Sequence, residues 1–548
     1  MKLSKSNFTK INSSTLFYIF LILYFFSGNI ASLYTGITAD EFIEQRNWNL
    51  KLELIKSLFD GNNAEYFNLL KPEEYLDRNI PIIDYDLRFY GVGFHYFSQI
   101  YLYIAGLFIE IGNLNSATTK VLLNHCFTFS NFFLSALFAG KILQLIIKDK
   151  LFTNLFIIFY LLYPYLLGHG FYNPKDTPFL FAWILSTYIS LNLALKAKDN
   201  KNITNINIFI LALSTAYLFS VRISGVLILI QYLISFLLLQ SSLKKNFYDI
   251  FKLYFFKIIL FTIFTTLITI LFYPLFWKNP LLIVDAINQM RNYPFGVCTL
   301  TLGKCMESVD LPSSYIFIWL FFKLPIIFFI ALVIFPFIEE RIFSNISNQI
   351  ILGSILLSVL LIIFLLVFFN VNLHGELRHL LFIVSLILIL SYSIIYFYSK
   401  KLLKYTTVIL IFFFTVQNLN MYPYQYTWFN LFGHFVNINN NFDLDYWGVS
   451  GRNLAKEINN NEKLLKIKNK CIYSAPTHLI KPFISNDYKC IKHLTSIYPK
   501  SSEQYILVKY TREISRDHPS ECKLIIKEGY KYNLYGEFLK MGEIYICN

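Results

Sequence analysis

The sequence predicts an all-α polytopic membrane bundle of about eleven helices, closed by a C-terminal extracytoplasmic α/β domain. Three observations carry that prediction: apolar runs of membrane length, Lys/Arg clusters between alternate runs, and a tail whose patterning changes to short strands. Hydrophobic residues make up 55% of the 548 and charged residues only 15%, where soluble domains run near about 25% charged. Mean hydropathy is +0.49. The 57 Phe and 39 Tyr exclude a disordered chain. A net charge of +14 would suit a nucleic-acid binder, but the cations sit in short clusters between apolar runs. No nucleic-acid partner is expected; the bilayer is.

The chain opens with Lys2, Lys5 and Lys10 and an apolar stretch over 16–34. A first span and a cleaved signal peptide both fit this start, and both place the next loop outside. Further runs lie at 121–147, 151–168, 178–195, 205–221, 223–240, 251–274, 313–336, 350–370, 380–398 and 405–420. Alternation puts Lys148 and Lys150, Lys196, Lys198 and Lys201, Lys244 and Lys245, Arg341, and Lys400, Lys401 and Lys404 on the cytoplasmic side. Residues 90–111 are apolar enough to span, but a crossing there would reverse the Lys148 loop, so they are read as an interfacial helix. The stretch 205–240 becomes a tight hairpin turning near Arg222. The membrane domain is then 1–420, with external loops at 36–120, 169–178, 275–312 and 371–379, and the α/β domain is 421–548.

Cysteines give an independent check. Cys126 falls in a span, whereas Cys298, Cys305, Cys471, Cys490, Cys522 and Cys547 all fall outside, as disulfides in an oxidising compartment would. Cys298 and Cys305 are an obvious local pair, and no zinc-ligand spacing is present. In the tail, CIYSA, YILVKYT, KLIIKEG and EIYICN read as strands, and 447–460 has helical spacing.

Candidate chemistry concentrates in the external loops. Asp40 and Glu41 adjoin the end of the first span, where carboxylates are costly to desolvate and tend to be functional. Their structural alternative is a helix start, with Thr38 or Asp40 as N-cap and Glu41 in the first turn. The second loop holds His169, Lys175 and Asp176, the last of which either caps a helix ahead of Pro178 or joins the first acids. Arg222 and Arg378 either snorkel or clamp an anionic headgroup. His374 and His379 make a weak metal signal, and Asp84, Asp86 and Arg88 precede the interfacial segment.

TADEF at 38–42, GHGFYNPKDTPF at 168–179, LPSSYIFIWLFFKLP at 311–325, HGELRHLLF at 374–382 and YPYQYTWFNLFG with FDLDYWGVS at 422–450 carry a resemblance. In that order the chain resembles the GT-C superfamily of membrane glycosyltransferases, and more closely the bacterial relatives of protein O-mannosyltransferases and lipid A aminoarabinose transferases. The resemblance implies an enzyme of the bacterial inner membrane, with its N-terminus cytoplasmic. It would move a sugar from a polyprenyl-phosphate donor to a glycan, lipid or protein acceptor outside, with inversion. It also implies Asp40 as catalytic base, Glu41 beside it, Asp176 shaping the site, and Lys175, Arg222 and Arg378 on the donor phosphate. Some members need a divalent metal and others do not, and the acids here fit either case. A lipid-linked glycan flippase or other transporter, or a non-catalytic member that binds lipid-linked sugars, are the alternatives. A transporter should bury ionisable groups near mid-bilayer, whereas these charges fall at helix ends.

Overall fold

The computed structural model describes residues 13–60, 89–105, 116–244, 246–277, 279–291, 298–467, 471–485, 488, 490–494, 504–511, 521–532 and 537–547. Lys2, Lys5, Lys10, Asp84, Asp86, Arg88 and Lys245 lie outside the described residues. Among the described residues, eight helices are long and apolar enough to cross a membrane. They are Ser14–Leu33, Thr118–Ile147, Asp176–Lys198, Ile223–Leu243, Phe251–Phe272, Ile346–Phe368, Arg378–Tyr398 and Lys400–Met421. The protein is therefore an integral membrane protein. Asn205–Val221 is apolar but shorter.

Two further runs are bent helix pairs. Lys150–Leu162 and Pro164–Tyr172 meet at 61°, and Tyr315–Lys323 and Ile326–Phe337 at 107°. Pro164 and Pro325 cause the breaks, since proline lacks the N–H that would continue each helix. Each break frees a carbonyl that apolar surroundings cannot satisfy, and an asparagine takes it. Asn418 Nδ2 donates to the Leu162 carbonyl at 2.7 Å, and Asn430 Nδ2 to that of Leu324 at 2.8 Å.

The segment at 90–111 contains the helix Gly93–Ala105, whose 13 residues span only about 20 Å. Phe97, Ile100, Tyr103 and Ile104 are exposed on it. Ala39–Phe59 is a polar helix directly after the first span.

Two ends of the bundle can be told apart. At one, Lys400 Nζ lies 3.5 Å from Asp149, and Lys198 Nζ 2.8 Å from Ser347 Oγ, gathering several basic clusters. At the other, Asp176, Arg222, Leu366 and Arg378 converge.

The C-terminal sheet contains β3 (Cys471–Ser474), β4 (Cys490–His493), β5 (Tyr505–Tyr510), β6 (Lys523–Lys531) and β7 (Phe538–Cys547), ordered β4-β3-β5-β7-β6. Its β4-β3-β5 half is parallel and its β5-β7-β6 half antiparallel. The amphipathic helix Gly451–Asn460 buries Leu454, Ala455 and Ile458 in a core shared with Ile472, Ile506, Val508 and Ile544. Residues 424–449, by contrast, pack into the helix-bundle core through Tyr426, Trp428, Phe429, Phe442 and Trp447. Disulfides join Cys298 to Cys305, Cys471 to Cys490 and Cys522 to Cys547, while Cys126 is free and buried. The first closes a small hairpin of β1 (Cys298–Thr301) and β2 (Lys304–Glu307).

Candidate functional site

A cavity of about 190 Å³ opens at the Asp176 end of the bundle. Asp40, Lys175, Asp176, Arg222 and Arg378 all line it, although the sequence spreads them over more than three hundred positions. Glu44, His374, His379 and Trp447 join them, but Glu41 does not.

The start of Ala39–Phe59 explains the division. Glu41 is the N3 residue of a capping box, its Oε2 accepting from the Thr38 N–H at 2.6 Å. Its Oε1 lies 2.6 Å from His125 Nε2, and the other nitrogen of that ring lies 2.9 Å from Thr35 Oγ1. This carboxylate is buried and occupied by the helix end, as the structural alternative describes. Asp40 sits one position back and faces the cavity, where Glu44, four residues on, shares its face of the helix.

Three acids meet three cations, one to one. Asp40 pairs with Arg378, Asp176 with Arg222, and Glu44 with Lys175 at 2.9 Å. Burial pushes the Glu44 carboxyl upward, but Lys175 and His95 outweigh it and hold the group at about 2. Burial pulls the Lys175 ammonium down from its usual range, with Glu44 opposing. Lys175 Nζ also lies 3.7 Å above the Tyr90 ring.

The acids differ in access. The Asp40 side chain is 38% exposed, against 8% for Glu44 and 2% for Asp176. Of the three, Asp40 is the carboxylate most open to the cavity, although its Oδ2 is held by Arg378 and Trp447.

Local structure fixes each partner. Asn173, not Asp176, satisfies the start of Asp176–Lys198, its Oδ1 accepting from the Asp176 N–H at 2.9 Å. Asn173 Nδ2 donates to Asp176 Oδ2 at 3.0 Å and aims that carboxylate at Arg222, the residue ending Asn205–Val221. Arg378 follows a turn in which Gly375 (φ +63°) and Glu376 (φ +64°) are both left-handed. That turn is braced from outside, since the Gly375 N–H donates to Thr299 Oγ1 at 3.2 Å and the Glu376 N–H to Tyr315 Oη at 3.1 Å. From below, Glu376 and Lys323 form a wholly buried ion pair at 3.0 Å, and burial raises the Glu376 carboxyl to about 7 against the pull of Lys323. His374 Nε2 lies 2.5 Å from the Arg378 guanidinium, and His379 Nδ1 lies 3.8 Å from Asp176.

Trp447 closes the cavity. Its Nε1 donates to Asp40 Oδ2 at 3.2 Å, and Arg378 stacks over its ring at 5.4 Å. Asp445 holds this segment by accepting from the backbone N–H groups of Val449 and Ser450 at 2.8 Å. Burial raises its carboxyl.

No protein-family model matches the sequence, and no curated protein matches it. The site is therefore read from its own chemistry. It offers one accessible carboxylate facing cations held at the ends of helices, with an apolar wall of Ile223, Leu227, Leu366 and Phe382. Among the described residues no group of three or more His, Cys, Asp or Glu side chains has metal-binding geometry.

Glu44 and Trp447 were missed by sequence reasoning. The four-residue spacing from Asp40 was a usable signal for Glu44. Trp447 lies within the FDLDYWGVS stretch, but nothing in that stretch points to Asp40, which it reaches across some four hundred residues.

Proposed function

We propose that this is a GT-C-like membrane glycosyltransferase that takes a sugar from a polyprenyl-phosphate donor. The observation that carries the reading is the accessible Asp40 carboxylate opposite Arg378, Arg222 and Lys175 in one cavity. In this reading Asp40 takes the proton of an acceptor hydroxyl as its oxygen attacks the anomeric carbon. The bond from that carbon to the phosphate oxygen breaks on the opposite face, giving inversion. Polyprenyl phosphate leaves with the bonding electrons. Arg222, whose side chain keeps 20% exposure, and Lys175 stabilise the charge that develops on it. The apolar wall beside Arg222 suits a lipid tail entering between helices. Asp176 and Glu44 hold these cations in place.

The membrane layout belongs to the same proposal. Eleven crossings arise if both bent pairs and Asn205–Val221 span, so the cavity opens outside an inner membrane and the basic clusters face the cytoplasm. The disulfide-bonded tail then lies in an oxidising compartment. Asp40→Asn should lower release of polyprenyl phosphate from a radiolabelled lipid-linked sugar by about 10²–10⁴-fold, at unchanged thermal stability. Full turnover in a folded Asp40→Asn protein would remove the base and with it the mechanism.

A further inference from the structure

A second cavity, of about 1540 Å³, lies against the opposite face of Ala39–Phe59. Asp40, Ile43 and Glu44 line the first cavity, whereas Phe42, Gln45 and Asn49 line the second. One helix is thus the wall between them, with Phe42 only two residues from Asp40. Tyr34, Lys120, Arg452, Lys456 and the 478–485 segment also line it.

The lining is chemically one-sided. Its charged side chains are Lys120, Arg452, Lys456 and Lys481, and among the described residues no carboxylate faces it. The first cavity, by contrast, pairs every cation with an acid. Arg452 is fixed rather than waving: its guanidinium donates to the Leu33 and Thr35 carbonyls at 2.6 and 3.1 Å and lies over the Tyr34 and Phe483 rings. Lys456 and Lys481 are exposed. Between the cations stand the amides of Gln45, Asn49, Asn459 and Asn460, which keep hydrogen-bonding capacity for hydroxyls, and of Asn453, whose two N–H groups are held by Tyr424 and Glu528. Phe42, 52% exposed, stacks on the His478 ring at 5.2 Å and 22°, presenting a flat surface for the apolar face of a sugar ring. The volume exceeds the roughly 300–1,000 Å³ of ordinary small-ligand pockets, so it suits several sugar units.

We propose that this cavity binds an anionic oligosaccharide bearing carboxylate or phosphate groups. It holds the part of that chain that does not react, because the helix separates it from Asp40. Assigning the chain as the acceptor rests on the transferase reading; binding itself does not.

The test uses the full-length protein in phosphatidylcholine nanodiscs and measures binding of hexagalacturonate, neutral maltohexaose and hexaglutamate. Hexagalacturonate should bind at least about tenfold more tightly than either other probe, and more weakly as salt rises. Lys456→Glu with Lys481→Glu should weaken it by at least about tenfold at unchanged melting temperature. Asp40→Asn should leave it intact, so a failed transferase reading is told apart from a failed binding site. No binding by the wild type, equal binding of maltohexaose, or no effect of the charge reversals would overturn the proposal. Equal binding of hexaglutamate would make this an acidic-peptide site instead. Displacement of hexagalacturonate by phosphatidylglycerol nanodiscs would make a lipid headgroup the occupant.

Discussion

At the scale of residues, neighbours in sequence have opposite duties. Asp40 faces the cavity while Glu41 closes a capping box and meets His125. Glutamine serves a capping box as well as glutamate does. Glu41→Gln should therefore keep transfer within a few-fold, while Glu41→Ala should cost roughly 1 kcal/mol through the lost cap. Thermal melts run beside the transfer assay separate the two, and a Glu41→Gln protein as dead as Asp40→Asn would make Glu41 catalytic. Glu44 adds a pH dependence. Its carboxyl is held at about 2, below its ordinary 4.5. A depressed folded value contributes stability that is complete above the unfolded value and is lost as pH falls through the window from 4.5 towards 2. The loss is on the order of 3 kcal/mol, and Glu44→Gln should flatten melting temperature against pH in that window. An unchanged slope would show that the pair with Lys175 contributes nothing to folding.

At the scale of elements, what matters is how turns and helix ends are held. The 374–379 turn that carries His374 and Arg378 rests in part on the buried Lys323–Glu376 pair. Lys323→Met strands a buried carboxylate and should cost about 3–5 kcal/mol. Adding Glu376→Gln should restore part of that loss in denaturation assays, and a double variant no better than the single one would refute the coupling. Much at this scale was legible in the sequence. The strands at 471, 505, 523 and 543 follow from their short apolar runs, and the helical spacing at 447–460 gives a helix that starts only at Gly451. The short strand Cys490–His493 escaped notice because four residues give too little alternation to read. Pro164 and Pro325 mark the two bends, yet an apolar run looks like one straight span whether or not it breaks. Hydrophobicity reports burial in lipid, not direction.

At the scale of the molecule, the sequence could place Asp40, Asp176 and Arg378 at ends of helices but not in one cavity. Their convergence depends on packing that brings the ends of Asn205–Val221, Ile346–Phe368 and the first span together, and no local pattern encodes it. The same holds for the 424–449 segment, which reads as the start of a separate domain but packs into the helix bundle and delivers Trp447 to Asp40. Which side of the membrane this cavity faces decides the donor that the proposed transferase could use. A cytoplasmic site would have soluble nucleotide sugars at hand, whereas an external one must draw on lipid-linked sugars. The most direct measurement is therefore a set of fusions to a reporter active only outside the cytoplasm, placed after Thr177, after Asn548 and, as control, after Lys244. Signal from the first two and silence from the third is the predicted pattern. Signal only after Lys244 would turn the cavity inward and contradict a polyprenyl-phosphate transferase acting on the outer face.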